Sequence, residues 1–342
     1  MEKLLITGGA GFIGGNFILE QLSSTNNQIL NFDKLTYAGD ITKFKTYCKN
    51  KNYTFVKGDI CNRKKVREVM QNFKPDVIIN FAAESHVDRS INDPAVFVET
   101  NVLGTTTLLE EALSFYNKLA RKKKKIFKFL QISSDEVFGE LNNKKNKFTE
   151  NSAYNPSSPY SASKAAADHF ARAWYKTYKL PIVITTSSNN YGPYQFPEKL
   201  IPKIIINAIS NTTLPVYGEG KNIRDWLYVK DNCKAIEKLL IRGTPGETYN
   251  IGGNCERTNL QIVEDVCEIL DKVKPKNNGK SYKNQIRFVA DRPGHDYRYS
   301  LNTNKLENEI NWAPHQSYKQ GLSKTIKWYL ENQDWWQNIL SR

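Results

Sequence analysis

The sequence predicts an α/β chain built on a doubly wound parallel sheet, and three observations carry that prediction. Short apolar runs alternate with longer amphipathic stretches through roughly the first 190 residues; the runs are apolar throughout, not in alternation; and a glycine-rich loop joins the first run to the first amphipathic stretch. Continuous apolar strands separated by helices belong to parallel sheets covered on both faces. The strand-like runs are Lys3–Thr7, Ile29–Phe32, Thr54–Lys57, Val77–Asn80, Phe127–Ile132 and Ile182–Thr186. Helix-like stretches lie near 12–23, 62–72, 94–119 and 160–178, with a weaker one near 41–49. Pro181, Pro193, Pro197 and Pro202 then punctuate the chain, and the pattern turns irregular. A helix near 199–210, short runs at 214–217 and 223–229, a helix near 231–241 and a strand at Thr248–Ile251 follow. A helix near 259–272 leads into Lys274–Lys283, whose Lys, Asn and Gly content predicts a mobile loop, and residues 317–337 form an amphipathic helix with Trp328, Trp335 and Trp336. The expected organisation is a first domain over 1–188 and a smaller, interleaved C-terminal domain over 189–342, with about 223–251 returning to the first.

The 342 residues carry 49 Lys+Arg against 35 Asp+Glu, a formal charge of +14. Arginine supplies only 12 of those cations, and 37 lysines accompany 35 asparagines, the signature of an A/T-rich genome more than of a binding surface. The run Arg121-Lys122-Lys123-Lys124-Lys125 has no interleaved aromatics, so it reads as a solvated turn ahead of the strand, and nucleic acid is not expected as a partner. No apolar run approaches the roughly 18–20 residues of a membrane span. The five cysteines (Cys48, Cys61, Cys233, Cys255, Cys267) are widely spaced without C-x-x-C, which argues against a disulfide framework and for a reducing, cytoplasmic setting. No His/Cys/Asp cluster has metal-ligand spacing, so no metal is expected.

The first strand runs into Thr7-Gly8-Gly9-Ala10-Gly11-Phe12-Ile13-Gly14, and a helix follows. Glycines permit the tight turn and let backbone N–H groups reach a pyrophosphate seated on the positive end of the helix. Asp33 follows Gly14 by 19 residues, at the end of the second strand. Its carboxylate can accept from ribose hydroxyls and would repel a 2′-phosphate, which favours NAD over NADP, although Lys34 beside it pulls the other way. Asp59, after the third strand, is placed to reach the adenine. These features make the first domain Rossmann-type and NAD the expected cofactor.

Tyr160 and Lys164 form Y-x-x-x-K, a spacing that sets both side chains on one helix face. There the ammonium is expected to lower the phenol pKa and make Tyr160 a general acid/base. The motif recurs at Tyr47/Lys51, Tyr53/Lys57, Tyr175/Lys179 and Tyr217/Lys221; only Tyr160 opens a helix downstream of a strand that ends in Ser133-Ser134-Asp135-Glu136. Neighbours within a strand face opposite sides, so Asp135 and Glu136 can address one ligand only if the strand has ended, as Gly139 suggests. Two carboxyls near one substrate can hold different protonation states, which suits an elimination.

Gly8–Gly14, Asn80–Ile91, Ser134–Val137, Tyr160–Lys164, Asn189–Pro193 and Asp291–His295 together resemble the nucleotide-sugar 4,6-dehydratases of the extended short-chain dehydrogenase type, the dTDP-glucose branch above all, over essentially the whole chain. The resemblance implies a redox-neutral conversion of dTDP-glucose or UDP-glucose to the 4-keto-6-deoxy sugar on retained NAD. Tyr160, supported by Lys164 and Ser134, would deprotonate the sugar O4; Glu136 would take the C5 proton; Asp135 would protonate the departing C6 hydroxyl. It implies a cofactor site that takes in Gly8, Gly11, Phe12, Ile13, Gly14, Asp33, Lys34, Leu35, Thr36, Asp59, Ile60, Phe81, Ala82, Ala83, Glu84, Ser85, Thr100, Tyr160, Lys164 and Asn190. It implies a sugar-nucleotide site that takes in Ser85, Ser134, Asn189, Lys199, Leu200, Pro215, Val216, Tyr217, Arg224, Asn259, Asp291, Arg292, Pro293, Gly294 and His295. For Arg224 and Arg292 the residue chemistry concurs, since a diphosphate wants bidentate donors, with ion pairs to Asp225 and Asp291 as the competing use. The family usually has Thr where this chain has Ser134.

A 4-epimerase or decarboxylase of the same superfamily would share the glycine loop and the Tyr/Lys pair, but not the need for both carboxyls. A non-catalytic dinucleotide- or nucleic-acid-binding protein would need none of the four. The resemblance further implies a homodimer built on the helices near 94–119 and 160–178, whose apolar stripes burial within one chain would equally explain.

Overall fold

The computed structural model describes residues 2–141 and 146–341. In chain order the first strands and helices are β1 (Lys3–Thr7), α1 (Phe12–Ser24), β2 (Gln28–Asp33), β3 (Tyr53–Lys57), α2 (Arg63–Phe73) and β4 (Val77–Asn80). Next come α3 (Val87–Asn92), α4 (Pro94–Phe97), α5 (Thr105–Asn117), α6 (Arg121–Lys124), β5 (Lys128–Ser134), α7 (Pro159–Tyr178) and β6 (Ile182–Ser187). The remainder comprises β7 (Asn189–Tyr191), α8 (Leu200–Ile209), β8 (Leu214–Tyr217), β9 (Ile223–Tyr228), α9 (Val229–Arg242) and β10 (Thr248–Ile251). β11 (Glu256–Thr258), α10 (Asn259–Val273), β12 (Ile286–Val289), α11 (Tyr318–Glu331) and α12 (Gln333–Leu340) complete it.

Seven strands form one parallel sheet in the order β10-β6-β5-β4-β1-β2-β3, so the chain reverses direction between β1 and β4. Such a reversal opens a crevice at the carboxyl ends of the strands, and there doubly wound sheets place their ligands. Alternation of side chains along β1 sends Leu4 and Ile6 to one face, with Phe17 of α1 and Ile236 of α9, and Leu5 to the other, with Leu108 of α5 and Ala171 of α7. A polar ladder crosses the sheet interior: Thr7 Oγ1 donates to Asn80 Oδ1 at 2.7 Å, and Asn80 Nδ2 donates to Gln131 Oε1 at 2.9 Å. These bonds between neighbouring strands offset much of the cost of burying the groups, although the Gln131 amide nitrogen has no partner among the described residues.

A separate core lies in the C-terminal half. Ile201, Ile204 and Ile205 of α8 pack with Trp226, with Val263 and Leu270 of α10, and with Leu322 and Tyr329 of α11. Around it sit a three-stranded sheet, β11-β9-β7, and the pair β12-β8.

Several elements depart from the expected pattern. The stretch 94–119 is helical without a break over 94–117 but changes character within it: a π-helical segment at Val98–Gly104 joins α4 to α5, and a Cβ at Gly104 would press on Ile60 at 2.7 Å. The closing stretch divides at Asn332 into α11 and α12. Residues 42–47 form a 3₁₀ helix. The segment expected to be mobile is tied at its end, where Tyr282 is buried and its hydroxyl donates to Lys274 O at 2.8 Å. The strands β7 and β11 have only three residues, too few for a periodicity to register, and β12 is mostly exposed with Arg287 inside it. The basic run forms α6, where Lys123 pairs with Asp76 at 2.7 Å and Lys124 lies over the Tyr116 ring.

Candidate active site

The cleft opens where β1 and β4 part. Gly8 has φ +70°, and a Cβ there would run into the backbone of Ala82; a Cβ at Gly14 would lie 2.7 Å from Gly8 O. Only glycine permits the turn and the helix start to approach so closely. Gly11 caps α1 without a side-chain hydrogen bond, which leaves the first N–H groups of the helix pointing at the cleft as an anion cradle. Asp33 Oδ2 accepts from Ala10 N at 2.9 Å and Oδ1 from Leu35 N at 2.8 Å. Burial raises its pKa, and these bonds and the charge of Lys43 oppose the rise. Lys34 and Asp59 face each other at 2.7 Å on the wall. A dinucleotide fits this donor set: a cradle of N–H groups, then a carboxylate one strand away.

Of the expected cofactor residues, all line this cleft except Leu35 and Asn190. Leu35 supplies its backbone N–H to Asp33, and Asn190 is buried with its amide donating to Ser188 O. Two contributions escaped the sequence reading. Tyr194, Gln195, Phe196 and Glu198 come from the loop after β7 to form one wall. Lys43, buried on the 3₁₀ helix, donates to Ala10 O and Gly11 O at 2.9 Å each and so holds the glycine loop from behind. Burial lowers its pKa to about 8 against the pull of Asp40 and Asp33. Nothing local marks Lys43 among 37 lysines.

Beside the cleft, β5 ends at Ser134, whose Oγ accepts from Glu136 N at 3.3 Å and starts a 3₁₀ turn over Asp135–Phe138. The strand has therefore ended before the two acids, which is the condition for both to face one ligand. Gly139 follows with φ +74°. Asp135 is almost fully buried, and its Oδ2 has no hydrogen-bond partner among the described residues. Burial and then the charge of Glu136 raise its pKa well above the carboxylate range, with Arg224 opposing. Burial also raises Glu136, but Arg224, Arg292 and Lys199 all counter it. Both carboxyls are thus raised, Asp135 the further toward the neutral acid, while the three cations restrain the rise of Glu136.

Pro159 and a capping box between Ser158 and Ser161 start α7, which puts Tyr160 and Lys164 on the cleft wall. The expected electrostatics of this pair need correction. Burial, then Glu136, raises the Tyr160 phenol, while the Ser134 hydroxyl acts in the opposite direction. Lys164 does not lower it visibly: its Nζ donates to Ile132 O at 2.5 Å, and its charge is balanced by Asp168 one turn on. Asp168 is itself held by Ser133 at 2.5 Å and Tyr154 at 3.0 Å. Two adjacent carboxyls and a dry site outweigh one ammonium that has another partner.

On the far wall, Lys199 Nζ donates to Ser85 O at 2.9 Å. The competing ion pairs foreseen for the arginines are absent. Arg224 is buried over the Tyr299 ring and donates to Ile223 O and Asp296 O, while Asp225 accepts from Gly253 N and Cys255 N. Arg292 reaches Asp88 at 3.1 Å, Asp291 instead meets His295 at 2.6 Å, and the buried Nε of Arg292 has no partner among the described residues. Pro215–Tyr217 lie in β8 beside β12, whose end leads to Asp291–His295; the Tyr217 and His295 rings are 6.4 Å apart. Leu200 and Asn259 open α8 and α10, and Asn189 stands in β7 with a buried, unpartnered Oδ1.

A seven-stranded parallel sheet, a glycine cradle at its switch point, and a Tyr/Lys pair beside it define a dinucleotide-dependent enzyme of the extended short-chain dehydrogenase type. The sequence model of the GDP-mannose 4,6 dehydratase family matches residues 5–325, and the chain belongs to that family. It is 50% identical over 340 residues to a dTDP-glucose 4,6-dehydratase of Xanthomonas campestris pv. campestris, covering 99% of this chain and 96% of that one. The crystal structure of dTDP-glucose 4,6-dehydratase from Bacillus anthracis in complex with NAD superposes with a TM-score of 0.86 at 45% identity, over 99% of this chain and 100% of that one. The Streptomyces venezuelae enzyme of the same name, with NAD bound, gives a TM-score of 0.89 at 40% identity, over 98% and 99% of the two chains.

Proposed function

We propose that this protein is an NAD-dependent dTDP-glucose 4,6-dehydratase, a hydro-lyase that serves deoxysugar (rhamnose-type) biosynthesis. The observation that carries the reading is the Asp135–Glu136 pair at the end of β5, with one carboxyl driven toward the neutral acid and the other held by three cations. An epimerase has no use for such a pair. The relatives named above support the thymidine nucleotide over UDP-glucose.

Bound NAD accepts a hydride from C4 of the sugar and returns it at C6. Tyr160 takes the O4 proton as a phenolate, a form that burial and Glu136 disfavour in the cleft as it stands and that the cationic nicotinamide of bound NAD would favour. Ser134 and Lys164 support the developing oxyanion from the same side. The resulting ketone acidifies C5–H, Glu136 removes that proton, neutral Asp135 protonates the leaving C6 hydroxyl, and a proton returns to C5 as C6 receives the hydride. Lys199, Arg224 and Arg292 bind the diphosphate, which also draws their charge away from Glu136 and frees it as a base. Domain roles follow: 1–188 hold the dinucleotide and 189–342 mainly the sugar nucleotide, with α9 and β10 returning to the first domain. Further readings are a homodimer and a cytoplasmic setting; among the described residues no helix is long and apolar enough to cross a membrane.

The test follows deuterium. dTDP-glucose labelled at C4 is expected to give product labelled at C6 with one solvent hydrogen at C5. Label that stays at C4 or exchanges into water overturns the route, and faster turnover of UDP-glucose in the same assay overturns the nucleotide assignment.

A further inference from the structure

A cluster outside the reacting groups joins the three segments that wall the dinucleotide cleft. Thr36 and Ala38, Glu84 and Ser85, and Phe196 and Glu198 all line it, each pair from a different loop. Between Thr36 and Ala38, Tyr37 sends its hydroxyl to Glu198 Oε1 at 3.0 Å and packs edge-on against Phe196. Just past Ser85, α3 brings in Arg89, whose guanidinium stacks 3.5 Å from the centre of the Tyr37 ring and reaches Glu198 Oε2 at 3.4 Å. His86 starts α3: its Nδ1 accepts from Arg89 N, so Nε2 carries the hydrogen, and it faces Glu198 Oε2 at 3.6 Å. One carboxylate thus gathers three partners from two other loops. Asp88, Lys199 and Arg292 also face His86, and burial lowers its pKa to about 4, so the ring stays neutral and the arrangement persists through the neutral range.

We propose that Tyr37, Arg89 and Glu198 form a latch that retains the dinucleotide in its cleft between the two hydride transfers. The inference rests on the reading of the cleft given above. A redox-neutral cycle fails if the reduced dinucleotide escapes before it returns its hydride, so retention has to be built into the walls. Under this proposal, outward movement of a wall segment is what releases the dinucleotide. Any such movement of the 36–39 loop or of α3 breaks the contacts at Glu198. The three residues are positioning residues, since none reaches the reacting atoms.

Glu198→Gln and Tyr37→Phe test the latch, loaded with radiolabelled NAD and diluted into excess unlabelled NAD. Release is expected to be about tenfold faster in Glu198→Gln, the loss of one hydrogen bond to a charged group, and severalfold faster in Tyr37→Phe. Both variants should also lose turnover progressively on dilution and regain it when NAD is added, a rescue that general destabilisation would not show. Release within twofold of the parent in Tyr37→Phe and Glu198→Gln alike overturns the latch. A parent protein that binds no NAD overturns the reading of the cleft, and the latch with it.

Discussion

Asp135 and Glu136 show how adjacent residues of one charge type acquire opposite tasks. Asp135 is buried and Glu136 partly so, but only Glu136 has Arg224, Arg292 and Lys199 together as its principal neighbours, and Asp135 keeps a carboxyl oxygen without a partner among the described residues. Glu136→Gln removes the base and leaves Tyr160 intact. This variant is expected to oxidise C4 and then stall, with reduced-nicotinamide absorbance building on the enzyme and product formation down by about 10²-fold or more, as general-base loss commonly costs. Full turnover would remove Glu136 from the mechanism. The acid pair was legible in the sequence because a strand end and a glycine are local signals. The division of roles came only from the family resemblance, since physically it depends on cations at 199, 224 and 292 that no local pattern ties to position 136. The same limit explains Tyr160: spacing put Lys164 on its face but could not show that Ile132 O and Asp168 occupy the ammonium.

Among the elements, the β1–α1 turn is the one whose sequence leaves least freedom. Gly8→Ala combines a left-handed backbone with a collision against the Ala82 backbone. The expected cost is about 1–3 kcal/mol of stability, seen as a lower Tm, together with loss of NAD binding by calorimetry. Unchanged binding would mean that the cradle does not depend on this turn. The strands of the seven-stranded sheet were readable within two or three residues because burial on both faces makes all but the edge strand β3 largely apolar. The helix expected over 94–119 is helical throughout 94–117, but its π segment at Val98–Gly104 is a feature that propensity does not mark. The strands β7 and β11 were invisible because three residues cannot display a period, and β12 because it is mostly exposed and carries Arg287 within its apolar run.

For the molecule as a whole, the outer face of α4, the π turn and α7 exposes Val96, Val98, Leu103 and Phe170, with Leu103 58% accessible. Fully burying such side chains contributes about 1.5–3 kcal/mol each, which supports the homodimer proposed above. Sedimentation is expected to show a dimer for the parent and a monomer for the double variant Val98→Glu/Leu103→Glu; a monomeric parent, or a variant that stays dimeric, overturns that assembly. The net charge of +14 does not mark the ligand; the few cations at the acid pair do. The sequence alone determined what short-range physics encodes: the sheet class, the glycine cradle, the acid pair and the Tyr/Lys helix start. Tertiary structure alone decided which charges meet: Lys199, Arg224 and Arg292 beside Glu136, Lys43 behind the glycine loop, and Glu198 between Tyr37 and Arg89. Periodicity and turn chemistry act over a few residues, whereas these pairings join groups about 30 to 160 positions apart that only the packing of two cores brings within ångströms.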